Sequence, residues 1–208
     1  MEEKIIILGG GGHARVLFEI LQGKNNIPLL GYTDCRQEGE IFLPYLGNDG
    51  EIENFSPEEV VLINALGSAE LPRKRKEIYL KFKEKGYRFH SVIHEGAHVS
   101  PSAILSAGVQ LMCHTVIGPE VYLGENVLIN TGVIVEHHAR IGAHTHVASG
   151  AVICGGAVIG EGCHIGAGTV VIQGITIGNE ALIGAGSLVV HDLPSGVKAY
   201  GSPAKIIR

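Results

Sequence analysis

Basic charge is scarce in this chain of 208 residues. Its 16 Lys and Arg against 21 Asp and Glu leave a formal charge of −5 and a pI near 6.1. That balance argues against a nucleic-acid partner, because a phosphate backbone demands a basic face. Cysteine is also sparse. Cys35, Cys113, Cys154 and Cys163 form neither a CxxC pair nor a dense framework, so reduced thiols in a cytoplasmic protein are expected. A long apolar run is missing too. The start, MEEKIIILGGGG, carries two acids, and its short apolar stretch runs into glycine, which fits neither a signal peptide nor a membrane span. Residues 97–119 lack Asp, Glu, Lys and Arg and match a span in length. They also hold His98, Gln110, His114, three serines and two prolines, which excludes that reading.

Lysine is absent between Lys85 and Lys198, and 12 of the 16 basic residues precede residue 95. The chain is long enough for one good core or two modest ones, and this change in composition predicts a domain over 1–95 and another over 96–208. The second half repeats with a period of six. Cut from His98, it gives HVSPSA, ILSAGV, QLMCHT, VIGPEV and so on to LVVHDL, and the second residue of all sixteen hexapeptides, Val99 through Val189, is Val, Leu or Ile. This is the pattern of a parallel β-helix whose short strands each send one aliphatic side chain inward. Glycine often follows the aliphatic residue, as at Gly118, Gly142 and Gly166, where a sharp bend between faces is expected. Three hexapeptides make a coil of 18 residues, so about five coils should stack at roughly 4.8 Å.

The front half reads as a Rossmann-like α/β domain. EKIIILGGGGHARVLFEILQG is a buried strand, a glycine loop fitting G-x-G-x-x-A at Gly9, Gly11 and Ala14, and a helix; LLGYTD is a second strand ending in Asp34. Glycines there would let backbone N–H groups approach a phosphate at a helix N-terminus, with the acid on a ribose or base. They would equally allow a tight turn and close strand–helix packing. EVVLINALG is a third strand, ELPRKRKEIYLKFKEKG a helix, and YRFHSVIH a closing strand.

Four histidines fall within ten residues: His137, His138, His144 and His146. On an 18-residue coil, Gly155 and Gly156 stand above His137 and His138, and His164 stands above His146. Three roles compete. Metal is disfavoured because no two histidines from 137 to 164 show the five-residue spacing of γ-class carbonic anhydrases. Exposed histidines at turns are the simplest account of His98, His114, His144, His164 and His191. The third role is general base in acyl transfer, for which an imidazole is suited near neutrality. Strand alternation sends Glu136 and His137 opposite ways, so another group must orient His137.

LGGGGHARV, SPSA, NTGVIVEHHARIG, HVASGAVICGG and the tail GSPAK together resemble the NeuD/PglD-type family of bacterial sugar acyltransferases over essentially the whole chain. The resemblance implies a left-handed β-helix and a homotrimer. It also implies transfer of acetyl from acetyl-CoA to an amino group of a UDP-4-amino sugar for surface glycans, with no metal. An O-acetyltransferase acting on a sialic acid and a non-catalytic nucleotide-sugar-binding assembly protein are the rivals. By the same resemblance His137 is the base, Gly155 offers its amide to the oxyanion, and His146, Ala167 and Ala185 bind acetyl-CoA. Gly11, Gly12, His13, Asp34 and Gly67 fall on the nucleotide-sugar positions. In the UDP-amino-sugar enzymes of this type an acid follows the catalytic histidine. Here His138 stands in that place, so it is expected to orient His137. Either another acid supports the base or the enzyme works with a weaker one. A covalent acyl-cysteine at Cys154 or Cys163 is not required.

Overall fold

In a computed structural model, residues 4–22, 28–37 and 41–207 are described; residues 1–3, where the reading of the chain's start begins, lie outside them. The chain divides into two compact units, one of Met1–Gly67 with Lys74–Val92 and one of Ser68–Arg73 with Ile93–Arg208.

The first unit is a parallel α/β sheet. Strand β1 (Lys4–Leu8) is a buried run of isoleucines, followed by α1 (Gly12–Gln22), β2 (Leu29–Thr33), β3 (Val60–Asn64), α2 (Arg73–Glu84) and β4 (Arg88–Phe89). Helix α1 buries Ala14, Leu17, Phe18 and Leu21, the i, i+3, i+4, i+7 face of an amphipathic helix. The strand order is β2-β1-β3-β4. Consecutive connections therefore leave β1 in opposite directions, and a crevice opens at the carboxyl ends of β1 and β3, where open α/β sheets take ligands.

The second unit is a left-handed β-helix. Sixteen two-residue strands, from His98–Val99 to Leu188–Val189, occupy the first two places of the sixteen hexapeptides. They pair in parallel with residue n beside n+18, as in Tyr122 with Arg140 and Arg140 with Val158. Three faces result. Face one runs from His98–Val99 to Leu188–Val189, face two from Ile104–Leu105 to Thr176–Ile177, and face three contains Gln110–Leu111, Leu128–Ile129, His146–Val147, His164–Ile165 and Leu182–Ile183. An antiparallel pair, Lys198–Tyr200 with Lys205–Ile207, closes the end of face three.

Three sequence expectations need correction. The expected closing strand splits: Arg88–Phe89 joins the front sheet, whereas Val92–Ile93 joins face three. The core takes two side chains per hexapeptide. Besides Leu111, Ile129 or Val147 at position two, position six is buried, as at Val109, Val127, Ala139, Cys163 and Ala181. Finally, the glycines after the aliphatic residue do not supply positive φ. A Cβ on Gly142 or Gly166 would lie 2.6 or 2.5 Å from the backbone N of Glu161 or Ala185 on the next coil. Close coil stacking is what demands them. The left-handed residues sit at the turns, in columns such as Glu120, His138, Gly156 and Gly174, with φ of 57, 60, 67 and 70°.

Candidate active site

His137 and His138 occupy the corner between faces one and two, immediately after Ile134–Val135, and both are exposed. Gly155 stands one coil above. A Cβ on it would come within 2.6 Å of His137 Cε1 and 2.7 Å of Nε2. The imidazole therefore lies directly against the bare Cα, and only glycine leaves it that place. The Gly155 carbonyl accepts from Gly174 N–H at 3.0 Å, and the His137 carbonyl accepts from Gly156 N–H at 2.9 Å. Among the described residues, the Gly155 N–H itself has no backbone partner. It has the free donor that stabilising a developing oxyanion requires.

Glu136 lies near Cys154, whose thiol is raised above its ordinary value by burial first and by the Glu136 carboxylate second. Cys163 is raised further, to about 11, chiefly by burial, and its Sγ is 3.1 Å from the Gly178 carbonyl. Neither environment favours a nucleophilic thiolate.

The acid that the sequence seemed to lack is one coil below. His137 Nδ1 and His138 Nδ1 are 2.9 Å apart, with ring centroids 5.1 Å apart and planes at 86°. His138 Nε2 is 3.2 Å from Glu120 Oε2. Glu120 is 18 residues before His138, so the coil register applied downward as well as upward finds it.

The other histidines go elsewhere. His144, expected at an exposed turn, is buried, with Nδ1 3.0 Å from Asn126 Nδ2. His146 is on face three and 5 % exposed. Its Nδ1 is 2.7 Å from the Ser68 hydroxyl, a partner brought by the short segment that belongs with the second unit and invisible to the repeat. His164 stacks above it, ring centroids 5.0 Å apart at 89°. It too is buried, not exposed, and burial lowers its pKa below the ordinary 6.5. Among the described residues no three His, Cys, Asp or Glu side chains come together as a metal would need.

Ala167 and Ala185 are exposed at the corner between faces three and one, stacked in one column with Gly186 N–H donating to the Ala167 carbonyl at 2.8 Å. They thus lie on the opposite edge of face one from His137. Of the outward first residues of the face one strands, all but His98 are apolar: Val116, Ile134, Val152, Val170 and Leu188.

In the first unit, Gly11, Gly12 and His13 follow β1 and Gly67 follows β3, at the crevice of the sheet. A Cβ on Gly67 would make ordinary contact with His13 Cβ at 3.6 Å, and one on Gly11 would meet nothing within 4 Å. Gly9, at φ +98°, is required by its backbone. Asp34 joins this group by clamping it. Its Oδ2 accepts from Gly10 N–H at 2.7 Å and its Oδ1 from Cys35 N–H at 2.6 Å. Burial pushes this carboxyl up, but those hydrogen bonds outweigh it and the net shift is downward, so the group is ionised near neutrality.

Residues 4–82 match the PglD N-terminal domain, and residues 120–155 and 156–191 each match the bacterial transferase hexapeptide (six repeats). The acetyltransferase domain of PglB from Neisseria gonorrhoeae is 31 % identical, with a TM-score of 0.93 over 100 % of both chains. The same domain in complex with acetyl coenzyme A gives 0.92 over 98 % of each chain at 31 % identity. PerB from Caulobacter crescentus, in complex with CoA and GDP-perosamine, is 33 % identical, with a TM-score of 0.78 over 99 % of this chain and 97 % of that one. No helix among the described residues is long and apolar enough to cross a membrane.

Proposed function

The chain belongs to the NeuD/PglD-type family of sugar acyltransferases, and from that membership we propose that it moves acetyl from acetyl-CoA to the amino group of a nucleotide-linked amino sugar. The observation that carries the reading is the exposed His137 imidazole seated on the bare Cα of Gly155, beside that residue's free N–H. The acceptor nitrogen attacks the thioester carbonyl while His137 Nε2 takes its proton. Gly155 N–H holds the oxyanion until the C–S bond breaks, and the proton passes to the departing CoA thiolate. The thioester is already activated, so neither a metal nor an acyl-cysteine enters the scheme.

Acetyl-CoA is assigned to the β-helix, with Ala167 and Ala185 along its groove and His146 as a further contact. The acceptor's nucleotide is assigned to the crevice formed by Gly11, Gly12, His13, Asp34 and Gly67. Asp34 is the ionised acceptor at this crevice, and a ribose or base would have to share it with the amides of Gly10 and Cys35 that it already holds. The apolar outer side of face one suits packing against a second prism, which would bring the edge with Ala167 and Ala185 of one copy towards the His137 edge of another in a homotrimer. Dependence on acetyl-CoA assigns the reaction to the cytoplasm.

A UDP-linked 4-amino sugar is the first candidate acceptor, and a GDP-linked one such as the perosamine of the PerB complex is the second. Incubating the protein with acetyl-CoA and a panel of UDP-, GDP- and dTDP-linked amino sugars, with free sialic acid alongside, tests the reading. Mass spectrometry should find one acetyl on the amine of one nucleotide class. Acetyl on a sialic acid hydroxyl instead would replace this reading with the O-acetyltransferase. Binding of a nucleotide sugar without acetyl-CoA binding or transfer would replace it with an assembly protein.

A further inference from the structure

We propose that Glu120 is a positioning residue for catalysis. It anchors a His137–His138–Glu120 chain that fixes the proton on the unreactive nitrogen of His137. The inference rests on His137 being the base. The two links are the 2.9 Å contact between the Nδ1 atoms of His137 and His138 and the 3.2 Å contact between His138 Nε2 and Glu120 Oε2.

Proton counting settles the direction. A neutral imidazole carries one N–H and one lone pair, and an ionised carboxylate only accepts. Glu120 therefore takes its hydrogen bond from His138 Nε2–H, which leaves His138 Nδ1 with the lone pair. His137 must then donate from Nδ1–H, and its Nε2 is left free to receive a proton. Without the carboxylate the chain could run the other way. His138 could carry its proton on Nδ1 and donate to His137, placing the His137 proton on the nitrogen that must be empty. One acceptor-only group at the end decides between a base and a blocked base.

The turn geometry supports this arrangement. Glu120 and His138 are stacked in one column of left-handed turn residues, and Glu180 holds the same conformation at another corner, at φ 54°. The column holds Glu120 through its backbone too, since its N–H donates to Ser102 Oγ at 3.1 Å. A glutamate is thus compatible with either place in the column. Where the family's UDP-amino-sugar enzymes put an acid next to the base, this chain moves the acid one coil down and inserts an imidazole between.

The test is a double-mutant cycle in the full-length protein. Glu120→Gln keeps the shape but can donate as well as accept, so the His138 tautomer is no longer fixed. It should lower kcat about three- to thirtyfold, within the share a general base contributes, and leave both KM values within about twofold. In a His138→Glu background, where an acid touches His137 directly, Glu120→Gln should change kcat by less than about twofold. Nitrogen NMR of the imidazoles should show His137 protonated at Nδ1 in the wild type and a mixture of tautomers in Glu120→Gln.

Full kcat in Glu120→Gln would overturn the proposal. So would an equal loss in the His138→Glu background, or a loss seen in KM alone. A thermal melt of each variant separates these outcomes from misfolding. Should His137→Asn keep wild-type turnover, the assignment of the base has failed; should His137→Asn be inactive and Glu120→Gln fully active, only the relay has failed.

Discussion

The β-helix carries two edge-on imidazole pairs of nearly the same geometry, and their surroundings give them opposite properties. His137 and His138 meet at 5.1 Å and 86°, His146 and His164 at 5.0 Å and 89°. The first pair projects from a corner into solvent and ends on a carboxylate. The second lies on a face, 5 % and 7 % exposed, and ends on the Ser68 hydroxyl. A base must exchange protons with solvent, which an exposed corner allows. Burial penalises a charged imidazole and lowers the pKa of His164. Spacing in the sequence does not distinguish the pairs; the part of the coil on which they fall does. A corner residue points away from the stack, whereas the first residue of a strand packs on the outside of a face.

Removing His137 should separate the pairs most sharply. His137→Ala is expected to lower kcat by roughly 10²–10⁴-fold, with acetyl-CoA affinity by calorimetry nearly unchanged. More than a third of wild-type turnover would take His137 out of the mechanism. Gly155→Ala comes next. Its φ is not in the left-handed region, but the new Cβ would lie 2.6 Å from His137 Cε1. The exposed ring must swing aside, and a displacement of about 1 Å can cost on the order of 10²-fold in rate. Turnover should therefore fall about ten- to a hundredfold while the melting temperature hardly moves. A variant with normal turnover would mean that the ring has no need of its seat on Gly155.

The buried pair should respond in stability first. Ser68→Ala removes the hydroxyl from His146 Nδ1, a net loss of about 1 kcal/mol and up to ~3 if the buried nitrogen finds no other partner. Denaturant unfolding should show that loss. The KM for acetyl-CoA should rise a few-fold, because His146 is the proposed contact, with kcat close to wild type. A fall in kcat to the level of His137→Ala would erase the distinction between the pairs.

The sixteen strands are legible in the sequence because position two of each hexapeptide accepts only Val, Leu or Ile. Position six escapes notice because apolar and polar residues share it: it is Val109, Thr115, Ala139, Cys163 and Ser187 in different hexapeptides. The hydroxyls among them are buried by bonding to carbonyls, Thr145 Oγ1 to Gly160 O at 2.8 Å and Ser187 Oγ to Gly184 O at 2.6 Å. Repeat arithmetic places Gly155 over His137 and would place Glu120 under His138. It cannot deliver Ser68, which reaches His146 across 78 positions. Asp34 shows another limit. Its place after the second strand suggests a ligand, yet its nearest partners are the amides of Gly10 and Cys35. A carboxylate that organises a loop and one that binds a ribose leave the same trace in sequence.

The smallest expected effect concerns His164 and pH. Burial lowers its folded pKa below the ordinary 6.5, so the unfolded chain binds more protons here between the folded value and about 6.5. Stability then rises with pH through that window. The contribution is complete above about pH 6.5 and is progressively lost as the pH falls towards the folded pKa. Leu128 and Leu182 occupy the same column of face three, which makes His164→Leu a replacement the face already accommodates. The wild type should lose melting temperature between about pH 7 and 5.5, and His164→Leu should lose less over the same range. Taking the difference between the two proteins cancels every group they share. Parallel curves would mean that His164 charges without penalty, and that burial separates the two imidazole pairs less than their geometry implies.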